Sequence, residues 1–187
     1  MAPGRVHLLG EHVDYADGIV LPIAIDRATC VTVGRGPADG GSVVRSDAID
    51  GPWSEVRFDL AAPNPARFEG GAAWANYVVG PLRELATLRS GRTRTFGLVV
   101  DVTSDVPLGA GVSSSAAVEV ATTLAAAELL SIELAPTDIA QLARRAEHRW
   151  AGVPCGIMDM MASVHGRRGQ LVRRADRRLT RPRSGGG

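Results

Sequence analysis

Residues 107–115 read Pro107-Leu108-Gly109-Ala110-Gly111-Val112-Ser113-Ser114-Ser115. An apolar run at Leu98–Val102 precedes this segment, and its branched side chains predict a buried strand. An alanine-rich segment follows the serines and continues to Leu130, which predicts a long helix because alanine has the highest helix propensity. The quoted segment is therefore expected to be a loop that leads from a buried strand into the N-terminus of a helix.

This loop has the composition of a site for an anionic ligand. Glycine lets the backbone approach a ligand closely, and successive N–H groups at a helix N-terminus attract negative charge. The three serines add hydroxyl donors, one of which is able to reach a metal ion on a nucleotide. The loop is not a Walker A motif, because no Gly-Lys-Ser/Thr follows, and it is not Gly-x-Gly-x-x-Gly. A flexible connection with a serine as helix cap fits the composition equally well.

Further elements are predicted on both sides of the loop from periodicity and turn residues. The expected strands are Val6–Gly10, Ile19–Ile25, Thr29–Val33 and, more weakly, Ser42–Arg45 and Val56–Leu60, with a turn at Gly18. The expected helices run from Trp74 to about Leu88, from Pro136 to about Trp150 and from Asp159 to about His165. Strands that come mainly first and helices that come later predict an α/β or α+β layer structure.

Composition predicts an acidic globular body with a basic end. Apolar residues make up 45% of the 187 residues, enough for a sizeable core. No run reaches the roughly 18 apolar residues of a membrane-spanning helix. All 21 basic residues are Arg; residues 1–166 hold 13 of them against 19 acidic residues, whereas residues 167–187 hold 8 against one.

These counts limit the classes of partner and the location. The acidic body argues against nucleic acid as a partner, and no membrane partner is expected. Residues 167–187 are expected to form a disordered, solvated tail, with a nucleic-acid-binding arm as the alternative. Two cysteines, Cys30 and Cys155, make neither a disulfide framework nor a four-ligand zinc site, so a cytoplasmic location is expected.

A polar cluster, Glu11-His12-x-Asp14, comes directly after the first expected strand. Carboxylates accept hydrogen bonds from sugar hydroxyls, so the cluster suits a polyhydroxylated ligand. Two carboxylates and an imidazole would also suit a metal ion, and an ordinary polar turn is the simplest alternative.

A second candidate lies at the end of Cys155-Gly156-Ile157-Met158-Asp159. A carboxylate in an apolar setting needs a partner, and Asp159 is a candidate to orient and deprotonate an attacking hydroxyl in phosphoryl transfer. A helix cap is the alternative role for Asp159. Arg5 is a candidate partner for a carboxylate. Cys155 is expected to be a small buried residue, because no Cys/His/Asn arrangement surrounds it.

Four segments, taken in order, resemble the GHMP kinases and in particular their galactokinase branch. Residues 4–15 (GRVHLLGEHVDY) resemble the galactokinase signature, and residues 107–117 (PLGAGVSSSAA) resemble the family's ATP-binding motif. Residues 146–159 (AEHRWAGVPCGIMD) are similar to the segment that holds the catalytic Asp of galactokinases. Residues 74–78 (WANYV) are similar to a family stretch between the first two motifs.

The resemblance implies an α+β fold, the N-terminal domain of a GHMP kinase, with helices packed on a mixed β-sheet. It implies ATP-dependent phosphorylation of galactose at the C1 hydroxyl, with ATP as co-substrate and Mg²⁺ as cofactor. Asp159 would be the base or the electrostatic anchor for that hydroxyl, and Arg5 would pair with it.

Further roles follow from the same resemblance. The implied sugar-binding residues are Glu11, His12, Val13, Asp14, Gly156 and Asp159. The implied ATP-binding residues are Ser46, Trp74, Gly109, Ala110, Gly111, Val112, Ser113, Ser114 and Ser115. The implied Mg²⁺ ligands are Ser115 and Glu147.

The main departure from the family is length. Galactokinases are considerably longer chains, so residues 1–166 are expected to form the N-terminal domain, and a C-terminal domain is expected to be absent. Little kinase activity is then expected of these 187 residues alone. The alternatives are a non-catalytic sugar- and ATP-binding sensor on the same fold, an unstable fragment without function, and a kinase for a related sugar such as N-acetylgalactosamine or arabinose.

Overall fold

A computed structural model describes residues 1–9, 21–38, 41–62, 65–88, 96–167 and 172. Its strands are β1 (Ala2–Leu9), β2 (Leu21–Arg35), β3 (Ser42–Ser46), β4 (Glu55–Phe58) and β5 (Leu98–Ser104). Its helices are α1 (Asn76–Thr87), α2 (Ser114–Leu129), α3 (Pro136–Ala146) and α4 (Met158–His165). Short 3₁₀ helices lie at Gly51–Ser54 and Gly70–Ala75, and a π-helical turn at Glu147–Ala151 continues α3.

The described strands form one mixed sheet in the order β1-β2-β5-β3-β4. Neighbouring strands are antiparallel except β3 and β5, which are parallel. A parallel pair needs a crossover connection, and the chain between β3 and β5 contains β4 and α1. The expected α+β fold with a mixed sheet is confirmed.

One strand, β2, replaces two expected ones. Ile19–Ile25 and Thr29–Val33 were expected to be separate because the polar pair Asp26-Arg27 interrupts the apolar pattern. Both side chains are exposed, and the strand runs through them for 15 residues. It stays continuous because its first half pairs with β1 and its second half pairs with β5. The turn expected at Gly18 lies outside the described residues.

The helices cover one face of the sheet and leave the other polar. Along β5, Leu98, Val100 and Val102 are buried, whereas Asp101 and Thr103, which occupy alternate positions, are exposed. The alternation is that of a strand with one face in the core. The largest fully buried apolar side chains, which come from both layers, are Val44, Val78, Val79, Leu85, Leu98, Val100, Val120, Leu142 and Met160. No helix in the described part of the chain is long and apolar enough to cross a bilayer.

Candidate active site

The Gly/Ser loop lies directly against β1. The backbone N–H of Arg5 donates to the carbonyl oxygen of Val112 at 3.0 Å. Gly4 makes this approach possible, because a Cβ atom at that position would lie 2.6 Å from the same oxygen. Gly111 has a φ of +72°, a left-handed conformation that favours glycine. The N-terminal strand and the loop before α2 therefore form one surface.

Arg5 and Asp159 form a bidentate ion pair across 154 sequence positions. The Arg5 Nε atom donates to Asp159 Oδ1 at 2.7 Å, and Nη2 donates to Oδ2 at 2.6 Å. The remaining nitrogen, Nη1, donates to the carbonyl oxygen of Gly111 at 2.7 Å. Two parallel charge-assisted bonds fix both the position and the orientation of the carboxylate. The structure brings these two residues together as expected, and their catalytic roles stay predictions.

Ser113 adds a contact that the sequence did not predict. Its hydroxyl donates to Asp159 Oδ2 at 2.6 Å. Ser113 stands at the N-cap position of α2 in a left-handed conformation, with φ at +56°, and its side chain does not cap the helix. The first N–H groups of α2 thus have no side-chain cap, so they are open to an anionic ligand.

Asp159 is held by the way α4 packs. It lies in the first turn of α4 between Met158 and Met160, both of which are buried. The hydroxyl of Ser163, one turn later, donates to the carbonyl oxygen of Pro3 in β1 at 2.8 Å. The N-cap position belongs to Ile157, so the alternative of Asp159 as a cap is wrong.

The Asp159 carboxylate remains accessible. Its side chain is 26% exposed, and it accepts three hydrogen bonds, two from Arg5 and one from Ser113. A carboxylate has about four acceptor positions, so one is left for a ligand. The His7 Nε2 atom lies 3.5 Å from Asp159 Oδ1.

A cavity of about 350 Å³ opens on the other side of the loop. Of the residues expected to bind ATP, five line it, namely Ser46, Trp74, Gly109, Ser114 and Ser115. The other four, Ala110, Gly111, Val112 and Ser113, belong to the loop but not to this lining. Trp74 is fixed by a hydrogen bond from its indole N–H to the carbonyl oxygen of Trp53, at 2.9 Å. Tyr77 and Leu108, which were not among the expected ATP-binding residues, also line the cavity.

Ser115 and Glu147, the expected metal ligands, are neighbours. Glu147 begins the π-helical turn and is only 4% exposed. Burial raises the pKa of Glu147, and interactions with the Cys155 thiol and the Ser115 hydroxyl oppose that shift. Among the described residues, no three His, Cys, Asp or Glu side chains are grouped as a metal site. Ser115 and Glu147 would thus hold a cation together with oxygen ligands from elsewhere, such as phosphate.

Cys155 is placed by contacts to the end of α3. Its backbone N–H donates to His148 Nε2 at 2.9 Å, and its carbonyl oxygen accepts from Arg144 Nε at 3.1 Å. Burial, followed by the hydrogen bond to Glu147 and the charge of that residue, raises the pKa of the Cys155 thiol far above its ordinary value. This agrees with a partly buried, unreactive thiol. Gly156, the next residue, is partly buried and lies in the segment that leads to Asp159.

Four of the expected sugar-binding residues, Glu11, His12, Val13 and Asp14, lie outside the described residues. Their role in binding a sugar therefore stays a prediction. β1 ends at Leu9, immediately before this part of the chain, and the same strand carries Arg5.

Glu119 is a candidate site residue that sequence analysis missed. It lies in the middle of α2, is fully buried, and neither of its carboxylate oxygens has a hydrogen-bond partner. Burial and, secondarily, the charge of Glu147 raise the pKa of Glu119 well above its usual value. The available signal was its isolation, since it is the only charged residue between Ala116 and Ala127.

Most of the site residues lie in two regions of the chain that match known protein families. Residues 76–167 match the GHMP kinases N-terminal domain, and residues 1–35 match the galactokinase galactose-binding signature. The first range holds the Gly/Ser loop, Glu147 and Asp159. The second holds Arg5 and the polar cluster that begins at Glu11.

Individual relatives agree with the family match. A galactokinase of Roseiflexus sp. (strain RS-1) is 43% identical over 166 residues, and that of Homo sapiens is 39% identical over 173 residues. These alignments cover 89% and 91% of this chain but only 40% and 42% of the relatives, so the chain spans less than half of their length.

Solved structures have the same fold. Lactococcus lactis galactokinase complexed with galactose superposes with a TM-score of 0.79 at 27% identity, over 92% of this chain and 42% of that one. Methanococcus jannaschii mevalonate kinase superposes with a TM-score of 0.75 over 93% of this chain and 52% of that one; at 17% identity it supports the fold alone. The chain therefore carries the GHMP kinases N-terminal domain in residues 76–167 together with the galactokinase galactose-binding signature in residues 1–35.

Proposed function

We propose that this domain serves the ATP-dependent phosphorylation of galactose at its C1 hydroxyl, which gives galactose 1-phosphate and ADP. One observation carries the proposal. An accessible carboxylate, Asp159, is pinned by Arg5 and Ser113 at one end of a Gly/Ser loop whose other side lines a cavity. An acceptor hydroxyl at Asp159 and a nucleotide in the cavity would thus meet across the loop.

The nucleotide is proposed to bind with its phosphates at the loop and the start of α2. The uncapped N–H groups of α2 and the serine hydroxyls offer donors to phosphate oxygens. The walls formed by Trp74 and Tyr77 suit the flat face of a base. Ser46 also lines the cavity and adds a hydroxyl.

The residues present fit a Mg²⁺ ion beside the phosphates. Mg²⁺ prefers oxygen ligands and is often held by one or two carboxylates together with substrate phosphates, and Ser115 and Glu147 supply a hydroxyl and a carboxylate. The unpartnered carboxylate of Glu119 nearby is a second negative charge that a cation would offset. Bound there, Mg²⁺ would neutralise charge on the phosphate oxygens during transfer.

Asp159 is proposed to accept a hydrogen bond from the C1 hydroxyl through its free acceptor position. This orients the hydroxyl oxygen, which attacks the γ-phosphorus while the bond to the ADP oxygen breaks. The hydroxyl proton passes to the carboxylate. Because Arg5 neutralises Asp159 and is held against the loop by Gly111, it also places positive charge near the transferred group.

Galactose is proposed as the sugar because residues 1–35 match the galactose-binding signature and a galactose-bound relative shares the fold. Glu11, His12, Val13, Asp14 and Gly156 are proposed to bind its hydroxyls. A cytoplasmic location is also part of this proposal, in keeping with the free thiols of Cys30 and Cys155.

The proposal is tested first by binding and then by turnover. Calorimetric titration of the 187-residue chain should show binding of both ADP and galactose, with galactose preferred over glucose. Turnover is measured on a chimera in which residues 1–166 replace the matching segment of the Roseiflexus galactokinase. ADP release that depends on galactose, with galactose 1-phosphate as product, is expected. A soluble chimera that releases no ADP with galactose, or that prefers another sugar, would contradict the proposal.

A further inference from the structure

Glu119 is a buried acid without a structural role that its contacts explain. It is 0% exposed, and in the described part of the chain its two carboxylate oxygens meet no hydrogen-bond donor. Burial of a carboxyl group without a partner is costly, and native proteins seldom keep one without a reason. Apolar residues flank it, since Val118 and Val120 are its neighbours in α2.

Its position points toward the expected cation ligands. Glu119 follows Ser115 by four residues in α2, so the two side chains lie on the same face of the helix, one turn apart. The Ser115 hydroxyl opposes the rise that burial causes in the pKa of Glu147, and the charge of Glu147 adds to the rise that burial causes in the pKa of Glu119. Burial and, secondarily, the charges of Glu147 and Glu119 raise the pKa of Tyr77, which lines the cavity. Of these three residues only Ser115 lines the cavity, whereas Glu147 and Glu119 are buried.

The described surroundings offer little positive charge to this pair. His148 acts on Glu147 and Arg144 acts on Cys155, each as a minor influence, and Arg5 is committed to Asp159. A second buried acid shows the usual arrangement. Glu84 accepts a hydrogen bond from the Trp150 indole and is flanked by Arg145 and Arg149 within 4 Å. The contrast shows that Glu119 and Glu147 lack a comparable countercharge among the described residues.

We propose that Glu119 is a positioning carboxylate for the divalent cation held by Ser115 and Glu147. Glu119 does not line the cavity and its oxygens have no hydrogen-bond partner among the described residues, so it acts on the cation through its charge. A cation at Ser115 and Glu147 would be attracted by two carboxylates, of which only one touches it. The inference builds on the cation site of the proposed function and extends it by one residue.

The test replaces the carboxylate without changing its shape, as Glu119→Gln in the 187-residue chain. The matched control is Glu84→Gln, which alters a buried acid that has its own partners. Electron paramagnetic resonance measures free Mn²⁺ in the absence of nucleotide and gives its dissociation constant. Mn²⁺ affinity should fall about tenfold in Glu119→Gln, as for other residues behind metal ligands, and stay within about twofold of wild type in Glu84→Gln.

A thermal melt in EDTA separates this role from a structural one. Removing one of two like charges should raise the melting temperature of metal-free Glu119→Gln, whereas Glu84→Gln should lower it because partners are lost. Glu119→Met, which also removes the charge, should behave as Glu119→Gln does. Glu119→Asp keeps the charge and should recover most of the Mn²⁺ affinity.

Several results would overturn the inference. One is a wild-type chain that binds no Mn²⁺ at about 10 mM, which is 10 times the dissociation constant of a weak site. The others are an unchanged Mn²⁺ affinity in Glu119→Gln and a loss of folding in both uncharged variants. A separate titration with ADP in EDTA reports on the nucleotide cavity alone. If the wild-type chain binds Mn²⁺ but not ADP, the result counts against the proposed function and not against the role of Glu119.

Discussion

Two charged clusters flank the start of α2, and they are built in opposite ways. On one side Asp159 receives two hydrogen bonds from Arg5 and one from Ser113, so its charge is neutralised within the chain. On the other side Glu119 and Glu147 are buried together, and Glu119 has no hydrogen-bond partner among the described residues. The first cluster has its countercharge within the chain, whereas the second is proposed to receive its countercharge from a bound cation.

The difference follows from what each cluster is proposed to handle. A group that orients a neutral hydroxyl has to be in place before the sugar arrives, so a rigid bidentate pair is suitable. A group that attracts a metal–nucleotide complex benefits from charge that the chain itself leaves uncompensated. The predictions below perturb one cluster at a time.

The largest effect is expected when the carboxylate of the complete cluster is removed. In the chimera, Asp159→Ala should lower turnover about 10³-fold or more, because the acceptor hydroxyl loses its orienting and proton-accepting group. ADP affinity should be nearly unchanged, since Asp159 lies outside the cavity lining. Coupled-assay kinetics measure turnover, and calorimetry measures ADP affinity.

Asp138→Ala is the matched control for this variant. Asp138 also lies in the first turn of a helix, but it is exposed and remote from the loop. Its replacement should leave turnover unchanged. High residual turnover in Asp159→Ala, or collapse of its ADP affinity, would show that the assigned role is wrong.

Removing the guanidinium of Arg5 from the same cluster should lower the stability of the domain. Arg5→Met leaves a partly buried Asp159 without its countercharge, which should lower the free energy of unfolding by about 2–3 kcal/mol, less than for a fully buried pair. Urea denaturation measures it. Arg45→Met is the control, because Arg45 pairs with Glu55 and Asp101 on the exposed face of the sheet. A shift for Arg5→Met no larger than for Arg45→Met would contradict the account.

The close approach of β1 to the loop can be tested without touching any charge. Gly4→Ala places a Cβ atom 2.6 Å from the Val112 carbonyl oxygen, and relieving that overlap should cost about 1–3 kcal/mol of stability and weaken ADP binding as the loop shifts. In Gly34→Ala, by contrast, the added atom has its nearest neighbour at 3.9 Å. Equal stability in the two variants would mean that the loop and β1 are not tightly apposed.

The smallest effect concerns the thiol beside the uncompensated acids. The thiolate is the reactive form, and burial together with Glu147 raises the pKa of Cys155. Cys30 is exposed on β2. Iodoacetamide at pH 8 should therefore modify Cys155 at least about tenfold more slowly than Cys30 in the folded chain. Peptide mass spectrometry gives both rates, and equal rates in 8 M urea are the control.

Much of the fold was predictable because its signals are local. The alanine-rich segment predicted α2 to within one residue of Leu129, and the branched run predicted β5. The length of β2 was not predictable in this way. Its polar centre resembled a break, and it continues as a strand because β1 and β5 pair with its two halves.

The candidate site likewise combines residues that the sequence identified with contacts that only the structure shows. The sequence by itself identified the Gly/Ser loop, Arg5, Glu147 and Asp159, because each belongs to a motif with a recognisable order of residues. Only the tertiary structure turned Ser113 toward Asp159 and left Glu119 without a partner beside Glu147. Both facts depend on how α2 packs against α4 and on the turn after α3. Hydrogen bonding and burial of a side chain are set by neighbours distant in sequence, and these become neighbours only when the layers assemble.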